Sequence, residues 1–109
     1  MSELPANYNI FGEHLELLKS IRNDVLKLGN DVVEDVRMHR IVYGRKVVLR
    51  TFLDIHPANN GIMVTIRKGR FYNDAKKIAY DKGLTAEVIA NDDNWKDALE
   101  IVKQSYLSV

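Results

Sequence analysis

Eight cations and four aromatic rings crowd the middle of this chain, and their types and spacing suit the capture of an anion. Arg37, Arg40, Arg45, Lys46, Arg50, Arg67, Lys68 and Arg70 lie on strand candidates and the turns beside them, interleaved with Tyr43, Phe52, Phe71 and Tyr72. Arginine presents a planar fork of five donors matched to phosphate or carboxylate, and an aromatic face accepts a stacked base. A hairpin built from the apolar-basic alternation between Val42 and Arg70 would gather Arg45, Lys46, Arg50, Arg67 and Arg70. The candidate binding set is therefore Tyr43, Arg45, Lys46, Arg50, Phe52, Arg67, Lys68 and Arg70. Its expected ligand is nucleic acid or another polyanion. The face of an acidic protein suits the same charges, and an ordinarily solvated sheet surface is the plain alternative. No RRM, KH or zinc-finger signature accompanies the set.

Catalytic chemistry has thinner support. Asp54 and His56 are two apart on a strand and so share a face, but a hydrolytic triad also needs a nucleophile within reach of the histidine. Ser20, Ser105 and Ser108 fall in helical segments without the G-x-S-x-G elbow. His14, His39 and His56 are far apart, no H-E-x-x-H occurs, and neither a Walker loop nor a dinucleotide fingerprint is present. The expected catalytic set, metal site and cofactor are thus none. A metal-dependent phosphodiester hydrolase built on Asp31, Glu34, Asp35, Asp54 and His56 is kept as the enzymatic alternative.

Charge is segregated along the chain. Residues 37–82 carry eleven Lys and Arg against three acids, whereas the flanks are acidic and the total is +1. With 109 residues and no cysteine, the chain suits one domain without disulfides or thiolate ligands, and a cytoplasmic location is the default expectation. The opening MSELPANYNI has neither the basic start nor the apolar run of a secretory signal. No stretch is long and apolar enough for a helical membrane span, so no membrane partner is expected.

The elements that must position the cations follow from periodicity. Leu18, Ile21, Val25 and Leu28 form the stripe of a first helix within residues 11–29, with Gly29 placed as its left-handed terminator. Asp31, with Glu34 three residues on, fits a capping box for a short helical turn, and Gly44 marks a turn or bulge. Residues 46–56 alternate as a strand. Val47, Leu49, Thr51, Leu53 and Ile55 are expected in the core, with Val48, Arg50 and Phe52 on the other, mixed face. Residues 57–61 supply the turn, and Ile62, Val64 and Ile66 the core of the partner strand. A short helix over 73–81, a strand over 85–90 and a closing helix with Trp95, Leu99, Val102 and Tyr106 complete the pattern. The expected fold class is α+β in two layers, a small antiparallel sheet covered by N- and C-terminal helices. Residues 1–10 form an expected extension and residues 11–109 the single domain.

The segment VLKLG (Val25 to Gly29), the block from His39 to Lys68 and the tail from Trp95 to Tyr106 together resemble the DUF5655 domain, a small bacterial family broadly labelled a predicted transport protein. Tyr43, Arg45 and Lys46 match its aromatic-basic approach to the central strand, Phe52 its strand aromatic, and Ser105 and Tyr106 its closing pair. Between Lys68 and Ala90 the pattern departs, since the family's glycine-rich link is replaced. The resemblance implies a small α+β domain, found alone or beside restriction-type or nuclease-like partners. By that association it implies a non-catalytic accessory module near nucleic acid. A protein-interaction or homo-oligomerising module in a defence-related system is the alternative partner reading.

Overall fold

The computed structural model describes residues 6–109, with side chains from residue 10 onward; residues 1–5 of the expected extension lie outside the described part. A 3-10 helix, Ala6–His14, leads into helix α1, Leu15–Leu26. Strands β1 (Val32–Val36), β2 (Ile41–Arg45), β3 (Arg50–Ala58) and β4 (Gly61–Arg67) then form a meander. β5 (Tyr80–Lys82), β6 (Thr85–Ala90) and helix α2 (Trp95–Ser108) follow. The six strands make one sheet in the order β1-β2-β3-β4-β6-β5, antiparallel at every pairing.

Both helices cover one face. Ile41, Leu53, Ile55, Ile62, Val64, Ile66, Ala86, Val88 and Ala90 alternate onto that face and are buried with Leu18, Ile21 and Val25 of α1 and with Ala98, Ile101 and Val102 of α2. Burying stripes from both helices against one sheet face is the simplest way to remove all three apolar surfaces from water. The opposite face carries Val33, Asp35, Asp54, His56, Met63, Thr65 and Ile89, all at least partly exposed. The helices are tied to each other where the Trp95 indole Nε1–H donates to Asp24 at 2.8 Å. The two-layer α+β architecture expected from the sequence is the one observed.

Several local expectations are corrected. The strand expected from residue 46 begins at Arg50, and residues 46–49 form a turn in which Leu49 N–H donates to Lys46 O and Leu49 has φ 53°. Val47 and Leu49, expected in the core, are therefore 75% and 87% exposed. Tyr43 pairs with Leu53 and Gly44 with Thr51, which leaves Phe52 as the extra residue of a β-bulge. The bulge breaks the period of two, so that both Phe52 and Leu53 are buried, and Phe52 meets the Tyr106 ring edge-on at 5.3 Å.

The capping box at Asp31 and Glu34 does not form, because this segment is strand β1 and both carboxylates are taken by tertiary partners. The helix expected over 73–81 is absent. The Asp74 carboxylate accepts from Ile78 and Ala79 N–H, and Lys77 adopts φ 55°, a left-handed conformation that a helix does not tolerate. Finally, Gly29 is not among the left-handed glycines. Its need is space, since a Cβ there would overlap the Tyr106 hydroxyl.

Candidate polyanion-binding site

The β2–β3 turn and the end of β4 place cations from three segments at one end of the sheet. Antiparallel pairing sets Arg50 opposite Arg45, and the β3–β4 register carries Arg67 and Lys68 to the same end as Arg50. Arg50, Arg67, Lys68, Gly69, Ser108 and Val109 line a cavity of about 350 Å³. Arg50 also joins Arg37, Lys46 and Leu49 around a second, more apolar hollow floored by Val33 and Val42. Gly69 is required where it stands, because any Cβ would collide with Ser108 at the end of α2.

The eight candidate residues divide sharply in this setting. Tyr43 is wholly buried, with its hydroxyl donating to Glu34 at 2.7 Å, and Phe52 is buried by the bulge, so neither ring is a stacking surface. Arg45 is spent within the fold. Its Nε donates to Asp31 at 2.8 Å, its guanidinium lies 4.2 Å from the Tyr106 ring centroid, and Nη1 donates to the Tyr106 and Val109 carbonyls. A cation on the last carbonyls of a helix satisfies orphan acceptors and complements the negative end of the dipole. Lys68 pairs with Asp81 and lies over Tyr72. Lys46, Arg50, Arg67 and Arg70 have no carboxylate partner among the described residues, whereas Arg22, Arg37, Arg40 and Arg45 each do. Compared with protein-family models, curated proteins and solved structures, the chain matches none.

The carboxylates considered for metal chemistry are engaged one by one. Asp31 meets Arg45, Glu34 meets Arg22, Asp35 meets Arg37, and Asp54 meets Arg40. His56 Nδ1 is 3.9 Å from Asp54, beyond hydrogen-bond reach. Among the described residues no three His, Asp or Glu side chains gather as metal ligands would. Sequence reasoning missed Ser108 and Gly69 as cavity walls. Their one signal is the pairing of a small residue on the β4–β5 link with another at the end of α2, which needs the tertiary fold to be seen.

The Asp31 carboxyl is held below its ordinary value by the hydrogen bond from Tyr106 at 2.7 Å and then by Arg45, against a smaller opposing effect of burial. The same hydrogen bond, with burial, raises the Tyr106 hydroxyl. A carboxylate with a depressed folded pKa contributes stability in full above its unfolded value, and loses it as pH falls through the folded one. The stability advantage of the native chain over Asp31→Asn should therefore be constant above about pH 5 and shrink in more acidic solution. Urea titrations of both chains across that range measure it.

Proposed function

We propose that this domain is a non-catalytic module that binds a polyanion, nucleic acid foremost, at the end of the sheet formed by the β2–β3 turn and the β4 terminus. The carrying observation is that Arg50 and Arg67 line one cavity and have no acidic partner among the described residues. Arg22, Arg40 and Arg45 each meet a carboxylate elsewhere in the fold, whereas here the positive charge is presented to solvent beside Lys46 and Arg70. Phosphate binding by such cations is driven largely by counterion release, so affinity falls linearly with salt on logarithmic axes.

Fluorescence anisotropy with a labelled oligonucleotide across a salt series tests this. The Arg50→Gln/Arg67→Gln chain should bind weakly and show a salt slope shallower by about 2, on the order of 1 per lost phosphate contact. Equal affinity in the two chains, or no binding at low salt, would remove the proposal. One feature favours docking of a protein or a second copy instead: Val47 and Leu49 project at the turn beside Lys46 and Arg50, 75% and 87% exposed. Sedimentation velocity on the same samples separates that reading, because self-association would persist without oligonucleotide.

A further inference from the structure

We infer that the ligand of this cavity is single-stranded nucleic acid, with a phosphate between Arg50 and Arg67 and an adjoining base stacked on Phe71. The inference rests on the polyanion reading and adds to it the form of the ligand. After Lys68 the chain turns tightly, Tyr72 N–H donating to Gly69 O at 3.0 Å, and this turn carries Phe71 two residues beyond Gly69 of the cavity wall. Phe71 N–H donates to Ser108 Oγ at 3.2 Å, and Ser108 is itself a wall of the cavity. Phe71 is 51% exposed. Its neighbour Arg70 places a guanidinium 5.5 Å from the ring centroid.

The loop that holds Phe71 is anchored although it has no regular secondary structure. Asn73 N–H donates to the Gln104 side chain at 2.7 Å and Gln104 returns a bond to Asn73 O at 3.0 Å, so that two residues of α2, Gln104 and Ser108, fix the loop on either side of the aromatic ring. A half-exposed phenylalanine on a fixed loop contributes less to the core than a buried one, and its free face is available to a flat partner.

An anchored ring beside unpaired arginines reproduces the alternation of a nucleotide chain, π-face next to phosphate. An acidic peptide or a polyphosphate supplies the charge without the repeating planar face. A duplex supplies phosphates but keeps its bases stacked and paired inside, out of reach of Phe71. The cations come from strand ends and a loop, and α2 meets the cavity through the last residue of its C-terminal end, Ser108, rather than offering a basic helix face to a major groove.

The test uses the full chain with three probes: a labelled single strand, the same sequence as a duplex, and inorganic polyphosphate. The native chain should prefer the single strand to the duplex by roughly tenfold or more. Phe71→Leu, which retains apolar bulk without the π-face, should weaken single-strand binding roughly 5- to 150-fold, the range for losing one stacked base. Its affinity for polyphosphate and its salt slope should not change, and its thermal midpoint reports that the fold is intact. Unchanged single-strand affinity in Phe71→Leu, or equal affinity for duplex or polyphosphate, overturns this inference while leaving the polyanion reading standing. Failure of the native chain to bind any of the three overturns both.

Discussion

Trp95→Ala should destabilise the domain by about 3 to 5 kcal/mol, the range for truncating a large buried aromatic residue. Trp95 opens α2, is 6% exposed, and packs in the same core as Leu18, Ile21 and Val25. Its indole also donates to Asp24 across a separation of 71 residues, so the substitution removes both packing volume and the bond that ties the two helices together. Domains of this size are stable by only about 5 to 15 kcal/mol, so the loss is a large share of the total. At about 4 °C or more per kcal/mol, the thermal midpoint should fall by well over 10 °C. Differential scanning calorimetry measures this directly, and a shift of a few degrees would contradict the buried placement. Trp95→Phe should recover most of the packing but not the bond to Asp24.

Glu34→Ala should have the second largest effect, on the order of 2 to 3 kcal/mol. The carboxylate sits on the helix-covered face of β1, its side chain 13% exposed, and receives both the Arg22 guanidinium at 2.9 Å and the Tyr43 hydroxyl at 2.7 Å. Removing it withdraws the acceptor from a guanidinium beneath α1 and from a tyrosine with no exposed surface. Breaking such a pair costs more than the pair contributes, because the remaining group keeps the penalty of leaving water. Glu34→Gln keeps a neutral acceptor for Tyr43 and should lie between the native chain and the alanine variant. Denaturant titrations of the three chains give the order, and equal midpoints would refute the account.

The parts of the fold that could be read from sequence are those whose side chains obey one period. The alternation of Ile62, Val64 and Ile66 and the short run 85–90 obey theirs and form as expected, and of the helical stripes Leu18, Ile21, Val25, Trp95, Val102 and Tyr106 are buried while Leu28 and Leu99 are only partly so. Legibility fails where a tertiary contact overrides the period. The bulge at Phe52 turns a residue inward that strict alternation places outside. Glu34 is a charge on a core-facing position of β1, so its strand looked like a capped helical turn. The apolar run 47–49 resembles strand but is a turn whose side chains project into solvent.

The candidate site was legible to the same degree. The convergence of Arg50, Arg67 and Lys68 follows from pairing β3 with β4, which the hairpin signal carries. The loss of Arg45 to the end of α2 depends on where a helix some 60 residues later comes to rest, Arg45 and Tyr106 being 61 apart. No local pattern encodes that distance.

The two ends of the strand order have a consequence of another kind, for aggregation. A sheet edge offers unpaired backbone donors and acceptors to any passing strand, and one copy of a domain can thereby template the next. At one edge β5 is only three residues long, Tyr80–Lys82, with Asp81 and Lys82 among them. At the other, β1 carries Glu34 pointing inward with Arg22 against it, and Asp35 and Arg37 paired on the outside. A strand adding to β1 would bring its own side chains alongside a charge fixed on the core-facing side, and one adding to β5 would find too little backbone to hold. The Glu34 carboxylate on the edge strand β1 thus also makes that edge a poor template for polymerisation.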